Sequence, residues 1–349
     1  MYLNVRQEGQ SPGKLDYRSC VLGAGTKATV ISDAKAVSQR DLDKHLKEIE
    51  STDFNFESLD DFGDRLAKLV LGDRVAAVLP EMKARHLVVV HDAPASRIPW
   101  ETIRIGGWSP AAAAGLSRRY VADNLSVAKW LEGRQQDKRL DLLLVVNPTK
   151  DLDGAEEEGN RIRNLFGTHP SVKIDELRGP QATKQTLLAQ FQSGVYDAIH
   201  YAGHAFFDAA NPSRSGILCH GREVLSGADL ASLGNLPSLV FFNACEAARV
   251  RRGAERRGPE LQIAKRVERN VGLAEAFLRG GVANYLGTYW PVGDAAAKSF
   301  AETFYTGLLS GQTIGEALLE GRKKVRDLKS VDWADYVLYG SHEFVLKQG

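Results

Sequence analysis

Apolar positions along this chain follow two rhythms. From about residue 139 onward, short apolar runs alternate with stretches whose apolar residues recur three and four apart, the pattern of a parallel sheet wrapped by helices. The run LDLLLVV at 140–146 ends at Asn147-Pro148, a strand closed by turn residues. Glu156, Glu157 and Glu158 then form an acidic group suited to the positive end of a helix. Thr183 can cap a second helix carrying Leu187, Leu188 and Phe191 on one face. Further strands are expected at 198–202, 239–242, 283–288 and 342–346, and further helices at 226–233, 273–278, 295–309 and 314–328. Residues 1–135 are less regular, with a strand at the start, helices at 39–49 and 59–71, and a strand at 88–90. PAAAAG at 110–115 and Gly23-Ala24-Gly25 read as turns, and the polar segment 133–138 reads as a linker before a unit spanning 136–349. The expected fold class is α/β: an open, mainly parallel sheet flanked by helices, preceded by a smaller α/β N-terminal region.

Composition narrows the function classes. With 349 residues, 43% hydrophobic, 26% charged and 33 Gly against 12 Pro, the chain is neither disordered nor collagen-like. Its apolar runs, such as 142–146 and 87–90, fall far short of the roughly 18 residues that cross a bilayer, so no membrane partner is expected. The opening MYLNVRQEGQ lacks a basic start followed by an apolar core, which makes the cytoplasm the expected location. The 3 cysteines, Cys20, Cys219 and Cys245, have no CxxC spacing, against a disulfide framework and a structural zinc site. No HExxH, phosphate-binding loop or EF-hand occurs, and neither metal nor cofactor is expected.

A net charge of +1 conceals one unusual segment. Between Arg249 and Asn270 stand eight basic residues (Arg249, Arg251, Arg252, Arg256, Arg257, Lys265, Arg266, Arg269) against three glutamates, a local charge of +5. Gly253, Gly258 and Pro259 add the marks of an irregular exposed loop, the kind of segment that proteases cut. Eight cations could neutralise phosphates, but no aromatic residue lies among them to stack on bases, so nucleic acid is not expected as a partner.

Chemistry concentrates at two strand ends. HYAGHA places His204 just beyond the strand at 198–202, and FFNACE places Cys245 just beyond the strand at 239–242. If the two strands are parallel neighbours, His204 and Cys245 emerge at one edge of the sheet, where open α/β sheets assemble their sites. A thiolate is the attacking species, and an imidazole can take the thiol proton and return it to a leaving amine. A lone strand-end thiol or a lone core histidine is ordinary; the pairing singles these two out. His200, four residues before His204, reads as structural, and Cys219 and His220 would face opposite sides of a strand.

From about residue 140 onward, the ordered segments LLLVVNPTKDLDGAEEEGNRI, DAIHYAGHAFFD, NPSRSGIL, SLVFFNACEAARV, GLAEAFLRGGVANYLGTYWPVGD and WADYVLYG resemble the CHAT family, caspase-like proteases often fused to TPR repeats and distantly similar to caspases and separase. HDAPASRIPWETI resembles the segment preceding the core in many members. The resemblance implies a caspase-like sheet and a cysteine endopeptidase acting on protein substrates, with His204 and Cys245 catalytic. The oxyanion-hole amides would be those of Cys245 and Ala205, the latter standing where caspases usually have Gly. It also implies that the 249–270 loop, which helps place 26 residues between Cys245 and Gly272, is an activation loop. The processing sites would be Arg249, Arg251, Arg252, Arg256, Arg257, Arg266 or Arg269, cut by the protein itself or by an upstream protease or under a regulatory partner. Self-cleavage there calls for an acid in the P1 pocket, with Asp153 first and Asp151, Asp208 and Glu246 as the others. Residues 1–135 would be a degenerate caspase-like half or a regulatory domain. A prokaryotic defence or cell-death role is an analogy of the family; a catalytically silent caspase-like scaffold is the alternative.

Overall fold

The computed structural model describes residues 1–23, 30–51, 54–121, 139–167, 169–206, 208, 214–230, 237–243, 274, 277–278, 282–290 and 292–346. Cys245, Glu246, every arginine expected as a processing site, and the linker at 133–138 lie outside the described residues. In chain order the strands are β1 (Tyr2–Ser11), β2 (Lys14–Leu22), β3 (Ile31–Ser38), β4 (Leu87–His91), β5 (Leu116–Tyr120), β6 (Leu140–Val146), β7 (Val172–Arg178), β8 (Ala198–Ala202), β9 (Ala205–Phe206), β10 (Gly216–Leu218), β11 (Val224–Ser226), β12 (Leu239–Asn243), β13 (Asn284–Thr288) and β14 (Tyr336–Tyr339). The longer described helices are α1 (Gln39–Lys47), α2 (Leu59–Val70), α3 (Asp153–Phe166), α4 (Lys184–Ser193), α5 (Asp294–Leu309) and α6 (Ile314–Asp327).

The apolar runs that mark β6, β8 and β12 are buried along their whole length, as strands inside a sheet covered on both faces must be. Eleven strands form one sheet in the order β3-β2-β1-β4-β5-β14-β13-β12-β8-β6-β7. It is mainly parallel; among the described residues its antiparallel pairings are β1 with β2, β2 with β3, and β13 with β14. The α/β fold class expected from the periodicity is therefore the one observed. A second, three-stranded sheet runs β11-β10-β9.

Register decides where loops meet. Val146 of β6 and Asn243 of β12 both pair with Ala202 of β8, so the three strands finish level. The segments that follow Val146, Ala202 and Asn243 therefore leave the sheet from one edge, with β8 in the middle.

Local chemistry fixes the neighbouring helices. Thr183 Oγ1 accepts the Thr186 N–H at the start of α4, and Gly194 ends that helix at φ 62°. Thr313 and Glu316 form a reciprocal capping box on α6. The strand expected at 342–346 is absent. The last strand among the described residues is β14, and the carbonyls of His342 and Phe344 instead accept the N–H groups of Gly315 (2.9 Å) and Ile314 (2.8 Å), satisfying orphan donors at the first turn of α6.

The N-terminal strands join the rest of the sheet at the β5–β14 seam. The pairing there is Tyr339 with Arg118, supported by the Gly340 N–H bond to Arg118 O. Arg322 of α6 strengthens so short a seam by donating to Leu116 O (2.9 Å) on β5 and to Tyr336 O (2.6 Å) on β14.

Candidate active site

His204 lies two residues past the end of β8, and its surroundings begin with a glycine. A Cβ on Gly203 would lie 2.6 Å from the Tyr201 hydroxyl oxygen and 3.1 Å from Pro148 Cδ, so the turn out of β8 admits no larger residue without displacement. The Tyr201 hydroxyl stands 2.6 Å from His204 O and 2.8 Å from Leu218 O, and Leu218 N–H donates to His204 O at 2.9 Å. Because the peptide unit is planar, holding the His204 carbonyl also sets the direction of the Ala205 N–H. Ala205, the expected oxyanion-hole donor, enters β9 there.

The imidazole is almost enclosed, with His204 7% exposed. Its Nε2 lies 2.9 Å from Asp151 Oδ1. Its Nδ1 is buried and has no hydrogen-bond partner among the described residues.

Asp151 is placed by the turn after β6. Asn147, at φ 43°, accepts the N–H groups of Asp151 (3.1 Å) and Leu152 (3.2 Å) on its side-chain oxygen, the local bonding for which Asn is favoured in turns. The Asn147 amide donates onward to Glu156 Oε1 at 3.1 Å. The Thr149 hydroxyl donates to the same Asp151 oxygen that faces His204, and Arg222 Nη2 donates to the other at 3.1 Å. Partial burial opposes ionisation of Asp151, yet the Thr149 hydrogen bond, the His204 contact and the Arg222 charge together hold its carboxyl below the ordinary value.

The other site candidates among the described residues have separate places. Asp153 is exposed in the first turn of α3. Asp208 is half-buried, and its N–H donates to Ser215 Oγ at 3.1 Å. His200 is wholly buried, 2.9 Å from the Tyr305 hydroxyl and 3.0 Å from Glu158 Oε1, and Glu158 also accepts from the Asn243 amide at 2.9 Å. These contacts give His200 the structural place expected of it. Cys219 and His220 do not share a strand: β10 ends at Leu218, and His220 belongs to a tight helical turn, His220–Arg222. The buried Cys219 thiol is pushed up to about 12, chiefly by desolvation, and is no competitor as a nucleophile. Thr149, Tyr201 and Arg222 were not foreseen. Arg222 meets Asp151 across 71 residues, a distance no local pattern encodes.

Comparison with known proteins completes the site's context. A family model described as the CHAT domain matches residues 60–341. Tetratricopeptide repeat protein 28 of Mus musculus is 24% identical over 218 residues, covering 54% of this chain and 9% of that protein. Its Homo sapiens counterpart is 25% identical over 221 residues, covering 54% and 8%. The chain thus spans about a tenth of the length of these curated relatives. The crystal structure of the Arg-specific cysteine proteinase gingipain R superimposes with a TM-score of 0.53 at 13% identity, over 88% of this chain and 75% of that one. The separase of the Saccharomyces cerevisiae separase–securin complex gives 0.46 at 19% identity, over 73% and 15%. At such identities the gingipain likeness speaks to the caspase-like fold.

Proposed function

Because the chain belongs to the CHAT domain family, we propose that it is a cysteine endopeptidase acting on protein substrates with Cys245 as nucleophile and His204 as base. The observation that carries this is His204 itself: it is enclosed at the end of β8, bonded to Asp151 through Nε2, and leaves Nδ1 without a hydrogen-bond partner among the described residues. Register adds support, since β12 lies beside β8 and ends at Asn243, two residues before Cys245 in the sequence. A fold shared with a cysteine proteinase agrees with it.

In the proposed reaction the Cys245 thiol gives its proton to His204 Nδ1, and the thiolate attacks the substrate carbonyl carbon. Backbone N–H groups of Cys245 and Ala205 hold the oxyanion. The intermediate collapses to a thioester as His204 protonates the departing amine. Water then attacks the thioester, with His204 taking its proton, and the acid leaves as the thiol is restored. No step needs a metal or cofactor.

Arginine at P1 is the proposed preference, with Asp153 the first choice of pocket acid: it is exposed, on the segment between β6 and α3. Asp151, Asp208 and Glu246 are the further choices. We also propose that cleavage within 249–270 activates the enzyme, by self-cleavage or by an upstream protease, in the cytoplasm.

Intact mass spectrometry of the wild type and Cys245→Ala, with and without arginine-P1 fluorogenic peptides and trace trypsin, tests these points together. Splitting between Arg249 and Arg269 with peptide hydrolysis, both lost in Cys245→Ala, is expected. A requirement for trypsin would assign activation to another protease. A wild type that neither hydrolyses peptides after trypsin nor reacts with thiol-directed probes would make the chain a caspase-like scaffold.

A further inference from the structure

Asp151 stands at the meeting point of two roles, and the geometry separates them. A carboxylate recognises a guanidinium best when both oxygens face it side by side. In Asp151 one oxygen accepts from Thr149 and faces His204 Nε2 at 2.9 Å, while the other accepts from Arg222 at 3.1 Å. Its backbone is tied to the Asn147 side chain as well, so the carboxylate is held from several directions at once. Neither oxygen is free to turn toward an incoming side chain.

We infer that Asp151 is the positioning residue for His204, holding the imidazole with Nε2 protonated so that Nδ1 is the nitrogen that takes the thiol proton. This deepens the protease reading and rests on it for its catalytic consequence. A carboxylate facing one imidazole nitrogen selects the tautomer in which that nitrogen carries the hydrogen, leaving the opposite lone pair as acceptor. The charged groups around the ring agree. Asp151 comes from the loop after β6. Arg222 comes from the turn after β10 and bonds the carboxylate. His220, on the same turn, is engaged with Pro148 O at 3.2 Å. Thr149 and Arg222 thus act one step back, fixing the acid that fixes the base.

The role differs measurably from that of a P1 acid. Nitrogen-15 NMR of the full-length protein at a pH where the His204 ring is neutral, with His204→Gln to assign the signal, reads the tautomer directly. The wild type is expected to show the Nε2–H form, and Asp151→Ala a mixture of both forms. A wild type in the Nδ1–H form overturns the inference even if Asp151→Ala fails to fold. In processed enzyme, Asp151→Ala should lower kcat by roughly 10²- to 10⁴-fold, with KM for arginine peptides within about twofold of wild type. Arg222→Gln, which removes the donor to the carboxylate oxygen that does not face His204, should lower kcat by less than Asp151→Ala does and leave KM for arginine peptides unchanged. If Asp151→Ala instead raises KM selectively for arginine peptides with kcat retained, or if Arg222→Gln lowers that KM by unmasking the acid, Asp151 belongs to the pocket. An inactive wild type would sink the protease reading alone, because the tautomer measurement needs no turnover.

Discussion

Two charged constellations sit on one sheet and meet solvent differently. At the β5–β14 seam, Glu101, Arg118 and Arg322 are all within 1% of complete burial. Arg118 gives Nε and Nη2 to Glu101 and Nη1 to Ser96 O, while Arg322 serves two backbone carbonyls across the seam. Burial lowers Arg322 to about 10 against the opposing pull of Glu101, so it still carries its charge at neutral pH. At the end of β8, the side chains of His204, Asp151 and Arg222 grade from 9% through 29% to 69% exposed. An uncommitted nitrogen alone does not distinguish the two, for Arg322 Nε also lacks a hydrogen-bond partner among the described residues. What differs is that an imidazole can exchange its proton near neutrality and a guanidinium cannot. The seam network is sealed throughout, whereas the network at the end of β8 reaches solvent through Arg222 and keeps an imidazole at its enclosed end.

The largest effect is expected where the seam is broken. Glu101→Ala leaves Arg118 without its carboxylate partner in a dry interior, and a loss of about 3–5 kcal/mol in unfolding free energy should appear in urea denaturation. Removing Glu101, Arg118 and Arg322 together in favour of apolar residues should cost less than the single change, because no stranded charge remains. A single mutant as stable as wild type would break the contrast, since the seam would then contribute nothing that the open site does not.

Acid should weaken the N-terminal wing next. Burial first, with Arg118 adding, lowers His91 to about 3; burial with help from His342 and Arg322 lowers His86 to about 2. Both are neutral when folded and bind a proton when unfolded below about pH 6.5, so the unfolded state gains protons and stability falls as pH drops. Each histidine should cost about 2 kcal/mol between pH 7.5 and pH 5. His91→Gln should lose correspondingly less over that interval in guanidinium titrations; an unchanged pH dependence would show that His91 is protonated in the fold.

Gly203→Ala comes third. Its methyl would meet the Tyr201 ring and hydroxyl, displacing the group that holds the His204 carbonyl, at about 1–3 kcal/mol of strain. Turnover should fall more than stability accounts for, which assays under conditions where the variant is fully folded would reveal. Equal activity to wild type would mean that this turn tolerates displacement.

How much of this was legible in sequence follows from burial. Strands β6, β8 and β12 announce themselves because both faces are covered, so apolar residues run nearly uninterrupted, with Asp141, His200 and Asn243 the polar exceptions. Parallel pairing of β8 and β12 then brings out the strand ends expected to carry His204 and Cys245. Edge strands were harder. In β3 only Val37 is buried, and β7 is nowhere fully buried, so neither shows a clear apolar run. In β2 the inward positions Leu15, Tyr17 and Val21 alternate, but Ser19 interrupts the apolar set. Strands β9 to β11 span two or three residues each, too few for any period. HEFVL resembled a strand, yet two of its carbonyls cap α6. The contact of Asp151 with His204 spans 53 residues, which no local pattern encodes.

The smallest stability effect should belong to Asp151, and its smallness is the sharpest form of the contrast. The carboxyl lies below its ordinary range when folded, so its contribution is present above the unfolded value near 3.8 and disappears as pH falls through the folded one. Its partner Arg222 is largely exposed, which limits that contribution to less than about 1 kcal/mol. Between pH 5 and pH 2.5, Asp151→Asn should therefore lose slightly less stability than wild type in guanidinium titrations. If it were destabilised at pH 7 by as much as Glu101→Ala, Asp151 would be an assembly residue like those of the seam. A carboxylate that contributes little to folding but controls turnover is what a positioning role demands, because its work is to fix one ring nitrogen.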